Sequence, residues 1–182
     1  MIIAISGLHG TGKSTCAKAL AEIFNLRYVS AGEMFREVAR EKGFSIEELS
    51  KLSEIDKSID LAIDERTRKE AEIGNVVLEG QLTPWIIANK GFKIYIAASK
   101  KDRIERISKR DGLTLEKAEK ETLTRESSER KRYKEYYGIN IDDLSIYDLI
   151  IDTSLFGKEE TIKILEKIIK NIKSYLKEGK NK

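Results

Sequence analysis

The chain has 182 residues, enough for one domain with its own core, and its 40% hydrophobic and 36% charged residues exclude a disordered chain. Its 34 Lys and Arg against 31 Asp and Glu leave a net charge of +3, too little by itself to indicate a nucleic-acid partner. A single cysteine, Cys16, excludes an internal disulfide, and no apolar run approaches the ~20 residues that span a bilayer. We therefore expect a monomeric, cytoplasmic protein that binds neither nucleic acid nor membrane.

Short apolar runs alternate with helical patterns along the whole chain. The runs predict strands at Ile2–Ser6, Arg27–Ser30, Val76–Glu79, Lys93–Ala98 and Asp148–Asp152. Helical spacing follows the first strand, and it recurs from Gly32 to about Ile73 with a break near Gly43, over Lys100–Arg110, from Thr114 to about Tyr137, and over Glu159–Leu176. Such alternation indicates one α/β domain over residues 1–182, with a parallel sheet covered by helices on both faces.

The turn after the first strand is a complete phosphate-binding P-loop, Gly7-Leu8-His9-Gly10-Thr11-Gly12-Lys13-Ser14. Glycines let the backbone N–H groups of Gly10–Thr15 surround a phosphate, and the helix N-terminus adds positive potential. Lys13 is expected to bridge the β- and γ-phosphates, and the Ser14 hydroxyl to hold Mg²⁺. The strand and helix on either side argue against an incidental glycine-rich turn. His9 is interpreted as a solvated spacer, because phosphate transfer needs no histidine base.

A P-loop alone could belong to a GTPase switch, a motor or a kinase. A GTPase would carry an Asn-Lys-x-Asp motif, and the stretch Asn89-Lys90-Gly91-Phe92 has Phe in place of the carboxylate. Several arginines suit an anionic acceptor instead: Arg36 lies shortly after Ser30, a candidate helix cap, and Arg106 and Arg110 share one helix face. A plain cap and solvated basic faces are the alternatives.

Two further patterns place carboxylates near phosphate. Arg125, Glu129 and Arg132 fall within about 60° on one helix, so that Glu129 could hold two guanidiniums as a clamp around a transferring phosphoryl group. An exposed salt bridge is the alternative. Glu79 ends an apolar strand, where a carboxylate commonly orders the water shell of magnesium, and a surface acid is the alternative there.

With these motifs, the chain resembles the nucleoside monophosphate kinases, and more specifically the archaeal-type cytidylate kinases. Three stretches carry the resemblance: Ser30-Ala31-Gly32-Glu33-Met34-Phe35-Arg36, then Leu78-Glu79-Gly80 followed by Trp85, and the segment from Lys131-Arg132-Tyr133 to Leu149. The likeness runs from Met1 to about Ser154.

The resemblance implies Mg²⁺-dependent phosphate transfer from ATP to CMP or dCMP, on a five-stranded parallel P-loop kinase fold. It also implies mobile monophosphate-binding helices at about 30–73 and a short lid at about 110–123. Nucleotide binding would fall to residues 7–15 and Arg106, and metal binding to Ser14 and Glu79. Acceptor binding would fall to Ser30, Gly32, Arg36, Gly80, Gln81 and Glu129, and catalysis to Lys13, Arg110, Arg125 and Arg132.

Gln81 departs from the pattern, because many relatives place an arginine there to contact the acceptor phosphate. A glutamine donates hydrogen bonds but carries no charge. Three alternatives therefore stay open: a kinase for another acceptor (AMP, UMP or a small phosphorylated metabolite), a non-catalytic nucleotide-binding protein, and an RNA-linked P-loop protein. Only the basic faces of Lys100–Arg110 and Arg125–Lys134 support the last of these.

Overall fold

The computed structural model describes residues 1–178, so the last residues of the predicted domain, 179–182, lie outside the described part. Its centre is a five-stranded sheet in the order β2-β3-β1-β4-β5, with every pairing parallel. The strands are β1 (Ile2–Ser6), β2 (Arg27–Ser30), β3 (Val76–Glu79), β4 (Phe92–Ala97) and β5 (Leu149–Asp152). All five predicted strands are present, and only β4 and β5 begin one residue away from the predicted start.

Eight helices connect and cover the strands within residues 1–178. They are α1 (Lys13–Phe24), α2 (Ala31–Lys42), α3 (Ile46–Ser53), α4 (Ser58–Ile73), α5 (Thr83–Ile86), α6 (Lys100–Asp111), α7 (Leu115–Tyr137) and α8 (Lys158–Glu178). Side-chain caps begin several of them, including Ser30 on α2 and a capping box of Ser45 and Glu48 on α3. The sequence did not predict α5, which has only four residues.

The core lies on both faces of the sheet. On one face, Ile3, Ile5, Ile94 and Ile96 pack against Leu20 of α1 and against α8. On the other, Ala4, Val76 and Leu78 pack against α4 and the end of α5. The described part of α8 contributes Leu165 and Ile169 to the first of these faces, as its apolar pattern predicts. Burial on both faces is why the central strands β1 and β3 have continuous apolar sequences.

The helices α2, α3 and α4 share a core of their own. Met34 and Phe35 of α2 pack against Leu49 of α3 and against Ile59 and Ile63 of α4. Val29 of β2 packs both against this cluster and against a cluster on the sheet, so the segment predicted to bind the monophosphate has a core of its own that adjoins the sheet. That this segment moves stays a prediction.

The helices α6 and α7 form a hairpin beside the sheet. Ile104 and Ile107 of α6 pack against Ala118 of α7, and Gly112 ends α6 in a left-handed conformation with φ 65°. The predicted lid at 110–123 is therefore the turn of this hairpin with the first turns of α7. Among residues 1–178, no helix combines the length and apolar character that crossing a bilayer requires.

Candidate active site

A cavity of about 710 Å³ opens between the P-loop, α2, α4 and the α6–α7 hairpin. Parallel strands end at one edge of the sheet, and a ligand site is expected in the crevice there. The cavity wall contains most of the predicted site residues, namely His9, Gly10, Gly12, Lys13, Ser14, Thr15, Gly32, Arg36, Glu79, Gly80, Gln81, Arg106, Arg110, Arg125, Glu129 and Arg132. Four predicted site residues are not part of the wall: Gly7, Leu8, Thr11 and Ser30. Of these, Leu8, Thr11 and Ser30 lie behind the wall and support it.

The conformation of the P-loop requires its glycines. Gly7 has φ 145°, and a Cβ there would lie 2.2 Å from the carbonyl oxygen of Ile96. At Gly10, a Cβ would lie 2.6 Å from the carbonyl oxygen of Arg103. Neither approach is sterically possible, so these positions admit the backbone only without a side chain. The close packing holds the loop against β4 and α6.

The side chain of Lys13 extends back to the P-loop residues that precede it. Its ammonium donates to the carbonyl oxygen of Leu8 at 2.8 Å, and the same oxygen accepts from the Thr11 hydroxyl at 2.9 Å. Burial lowers the pKa of Lys13, and the carboxylates of Glu79 and Glu129 oppose that shift. The Lys13 ammonium therefore lies at the edge of the cavity, near the carboxylates of Glu79 and Glu129.

Glu79 is a buried carboxylate, which rules out the surface-acid alternative. One oxygen accepts from the Ser30 hydroxyl at 2.7 Å and from the Tyr28 hydroxyl at 2.9 Å. Burial favours the neutral acid, but Lys13 and the hydroxyls of Ser30, Tyr28 and Ser14 hold the pKa of Glu79 below its usual value. An ionised carboxylate beside the Ser14 hydroxyl fits Mg²⁺, which takes one or two protein oxygens and completes its shell with phosphate and water.

Glu129 is the centre of a second buried network, between α7 and the P-loop. It is 5% exposed, and it accepts from His9 Nε2 at 2.7 Å, Gln81 Nε2 at 2.6 Å and Arg125 Nε at 3.0 Å. Burial favours the neutral acid, yet His9, Arg125 and Arg132 hold the pKa of Glu129 far below its usual value. Burial lowers the pKa of His9, and the charge of Glu129 and its hydrogen bond with His9 oppose that shift. The interpretation of His9 as a solvated spacer is wrong.

A further ion pair that the sequence analysis missed fixes the P-loop to both hairpin helices. Arg103 of α6 donates to Glu126 of α7 at 2.6 Å and to the carbonyl oxygen of His9 at 2.8 Å. Glu126 in turn accepts from the backbone N–H of His9 at 3.2 Å. Arg103 is four residues before the core residue Ile107, and this shared helix face was a signal that it is buried.

The helix face of Arg125, Glu129 and Arg132 does not form the predicted clamp. Glu129 holds Arg125, but the Nε of Arg132 lies 2.9 Å from Asp60 Oδ2 on α4. Arg132 also donates to the carbonyl oxygen and hydroxyl of Ser50 on α3, each at 3.1 Å. Because α3 and α4 approach α7 at this turn, the two arginines have different carboxylate partners. Both guanidiniums still belong to the cavity wall.

The remaining predicted arginines differ in how firmly they are held. Arg106 donates to the hydroxyl and carbonyl oxygen of Thr153, at 2.8 and 2.9 Å, and so lies beside the P-loop. Arg110 is mostly exposed and pairs with its neighbour Asp111 at 2.7 Å. Arg36 extends back along α2, with Nη1 3.7 Å from the position of a Cβ on Gly32.

Two acids of α4, Asp60 and Asp64, line the cavity and were absent from the sequence-based site. Both are buried, and Asp64 accepts a hydrogen bond from the Tyr137 hydroxyl at the end of α7. Burial raises the pKa of Asp64 to about 6, with the Tyr137 hydrogen bond opposing the shift and Asp60 adding to it. The signal for both was their position directly after the core residues Ile59 and Ile63.

The fold is that of the P-loop kinases. The chain is similar to shikimate kinase from Bacteroides thetaiotaomicron, with a TM-score of 0.63 and 14% identity over 93% of this chain and 98% of that one. It is also similar to deoxyadenosine kinase from M. mycoides, with a TM-score of 0.55 and 19% identity over 94% of this chain and 100% of that one. At such identities the likeness concerns the fold alone.

Sequence similarity identifies the family. The model of the cytidylate kinase-like family matches residues 2–155. The cytidylate kinase of Staphylothermus marinus is 51% identical over 179 residues, covering 98% of this chain and 99% of that protein. The cytidylate kinase of Methanocaldococcus jannaschii is 49% identical over 177 residues, covering 95% and 99%. The chain belongs to the cytidylate kinase-like family, and the predicted resemblance is confirmed.

Proposed function

We propose that this protein transfers the γ-phosphoryl group of ATP to CMP or dCMP, giving ADP and CDP or dCDP. The observation that carries the proposal is a single cavity bounded by the P-loop on one side and by α2 and α4 on the other, with arginines in the wall between them. A donor phosphate and an acceptor phosphate can meet there. The family to which the chain belongs supports the same reaction.

The donor side comprises the P-loop and the residues that support it. Backbone N–H groups of Gly10–Thr15 bind phosphate oxygens, and Lys13 bridges the last two phosphates once it leaves the Leu8 carbonyl oxygen. Ser14 and Glu79 would hold Mg²⁺, which supplies charge neutralisation on the phosphate oxygens. Glu79 is suited to this because it is ionised and oriented by two hydroxyls.

The acceptor side needs no nucleophilic side chain, since an oxygen of the acceptor phosphate itself attacks. The protein contributes position and positive charge. Arg36 binds the acceptor phosphate, while Arg106, Arg110 and Arg125 surround the transferring group. Arg125 is held at 3.0 Å by Glu129 and Arg106 by Thr153, so both charges are oriented before the reaction. Closure of the 110–123 turn would exclude water.

The test is a coupled assay of ADP release with CMP, dCMP, UMP, AMP and GMP under identical conditions. We expect CMP and dCMP to give the highest kcat/KM. A higher kcat/KM for another acceptor would identify that acceptor as the substrate. ATP binding without ADP release would instead support a non-catalytic nucleotide-binding protein. RNA binding with steep salt dependence would support the RNA-linked alternative.

A pair of lysine variants on α1 tests the donor side. Lys13→Ala should lose most of the phosphotransfer, because its ammonium lies at the P-loop, 2.8 Å from the Leu8 carbonyl oxygen, where it can bridge two phosphates. Lys18→Ala is the matched control, since Lys18 lies on the same helix, is exposed, and pairs with Glu33 outside the cavity wall. Near-normal turnover of a folded Lys13→Ala protein would contradict the proposed site.

A further inference from the structure

Polar groups are ordered along α7 by their distance from the phosphate-binding loop. Glu129 contacts His9 of the loop, Arg132 one turn later contacts Asp60, and Tyr137 near the end of the helix contacts Asp64. Glu129 and Tyr137 are eight positions apart, which corresponds to a rise of about 12 Å along the helix axis. The cavity therefore extends from the P-loop to a polar end on α4, over a length comparable to that of a nucleoside monophosphate.

The walls near this polar end suit a flat ring. Phe35, Ile63, Ile86 and Tyr133 line the cavity and come from four different helices. Ligand sites commonly combine such apolar walls with a few polar groups that fix orientation. Phosphate, in contrast, is bound by donors and cations, and the carboxylates of Asp60 and Asp64 would repel it. The α4 end of the cavity therefore fits a base.

The polar groups at this end select among base edges. An ionised carboxylate only accepts hydrogen bonds, and a guanidinium only donates them. Cytosine presents an amino donor at C4 and acceptors at N3 and O2, which complements a carboxylate beside an arginine. Uracil has a carbonyl oxygen at C4, so a carboxylate facing it leaves two acceptors in contact without a proton between them.

We infer that Asp64 determines the acceptor base, its carboxylate accepting a hydrogen bond from the 4-amino group of cytosine while Arg132 donates to the ring acceptors. Asp60 positions Arg132 through their ion pair. The inference rests on the proposed function, since it assumes that the acceptor is a nucleoside monophosphate. It adds to that proposal the residue responsible for preferring CMP to UMP.

The experiment compares kcat/KM for CMP and UMP at pH 8, where the Asp64 carboxyl, with a pKa of about 6, is ionised. Asp64→Asn keeps an acceptor for the Tyr137 hydroxyl and replaces the other oxygen by an amide donor, which suits the C4 oxygen of uracil. We expect the CMP/UMP ratio of kcat/KM to fall by a factor of about 10². The matched control is Tyr137→Phe, which removes the hydrogen bond to Asp64 but keeps the carboxylate, and its ratio should equal that of the wild type.

A second measurement uses the wild type alone and needs no variant to fold. The analogue of CMP whose base is 2-pyrimidinone lacks the 4-amino group, and its kcat/KM should be about 10²-fold lower than that of CMP. Use of this analogue as readily as CMP would overturn the inference, as would an unchanged CMP/UMP ratio in Asp64→Asn. Phosphorylation of CMP with either of these results leaves the proposed function intact. A wild type that phosphorylates no nucleoside monophosphate overturns both.

Discussion

Replacing Arg132 by alanine tests the buried ion pair between α7 and α4. Arg132 is 2% exposed and Asp60 is 6% exposed, so Arg132→Ala leaves a carboxylate unpaired in the interior. Breaking a buried ion pair by removing one partner costs about 3–5 kcal/mol. At 2–4 °C of melting temperature per kcal/mol for a chain of this size, the Tm should fall by about 6–20 °C.

Two other arginines of α7 are compared with Arg132 by the same substitution to alanine. Arg130 is exposed and pairs with the exposed Asp142, so Arg130→Ala should cost at most about 1 kcal/mol and leave kcat near that of the wild type. Arg125 contacts Glu129, which keeps His9 and Gln81 as partners. Arg125→Ala should therefore change Tm little but lower kcat by a factor of roughly 10²–10³, because its charge is proposed to meet the transferring group.

The assay is thermal unfolding by circular dichroism, with kcat measured well below each melting temperature. Replacing both partners, as Arg132→Met with Asp60→Leu, should recover most of the lost stability, because no unpaired charge remains. A melting temperature of Arg132→Ala within about 3 °C of that of Arg130→Ala would refute the assigned role of the ion pair, by the same conversion of stability into Tm. Equal and mild changes in kcat for Arg125→Ala and Arg130→Ala would refute the placing of Arg125 at the transferring group.

Two further predictions concern single residues of the cavity wall. Gln81→Arg adds a positive charge where the acceptor phosphate is proposed to bind, so the KM for CMP should fall by roughly 5–30-fold, and a flat or higher KM would contradict that position for Gln81. The pKa of Asp64 is raised from 3.8 to about 6 in the folded protein, so the folded state binds its proton more tightly and loses about 2 kcal/mol of stability as pH rises from 4 to 7. In melting curves across this pH range, Asp64→Asn should lack that loss and gain stability relative to the wild type as pH rises, and parallel curves for the two proteins would contradict the raised pKa.

The sequence predicted the parts of the fold that depend on a local pattern of residues. The central strands β1 and β3 are continuous apolar runs because both of their faces are buried. The P-loop was recognised because its glycines and lysine stand at fixed spacing, and at Gly7 and Gly10 a side chain would collide with neighbouring backbone. The cap at Ser30 and the capping box at Ser45 depend only on neighbouring residues, so local sequence was sufficient.

The residues that the sequence missed are charged side chains buried by contacts between distant elements. Arg103 lies on the helix face of the core residue Ile107, but its partner Glu126 and their burial depend on the contact of α6 and α7 with the P-loop. Asp60 is separated from Arg132 by 72 positions, so no local spacing reveals their ion pair. For the same reason, helix geometry placed Arg125 and Arg132 on one face but could not indicate that α4 supplies the partner of the second.

The arrangement of contacts on α7 has a consequence for how the two nucleotides influence each other. One continuous helix of 23 residues contacts the backbone of His9 through Glu126, and contacts α3 and α4 through Arg132 and Tyr137. A shift of α3 and α4, which are proposed to bind the acceptor, would therefore displace the helix that also supports the P-loop. Thermodynamic linkage then requires equal factors in both directions: bound CMP changes the affinity for ATP as much as bound ATP changes the affinity for CMP. Substrate synergy of this kind needs no separate regulatory site, because the helix is shared.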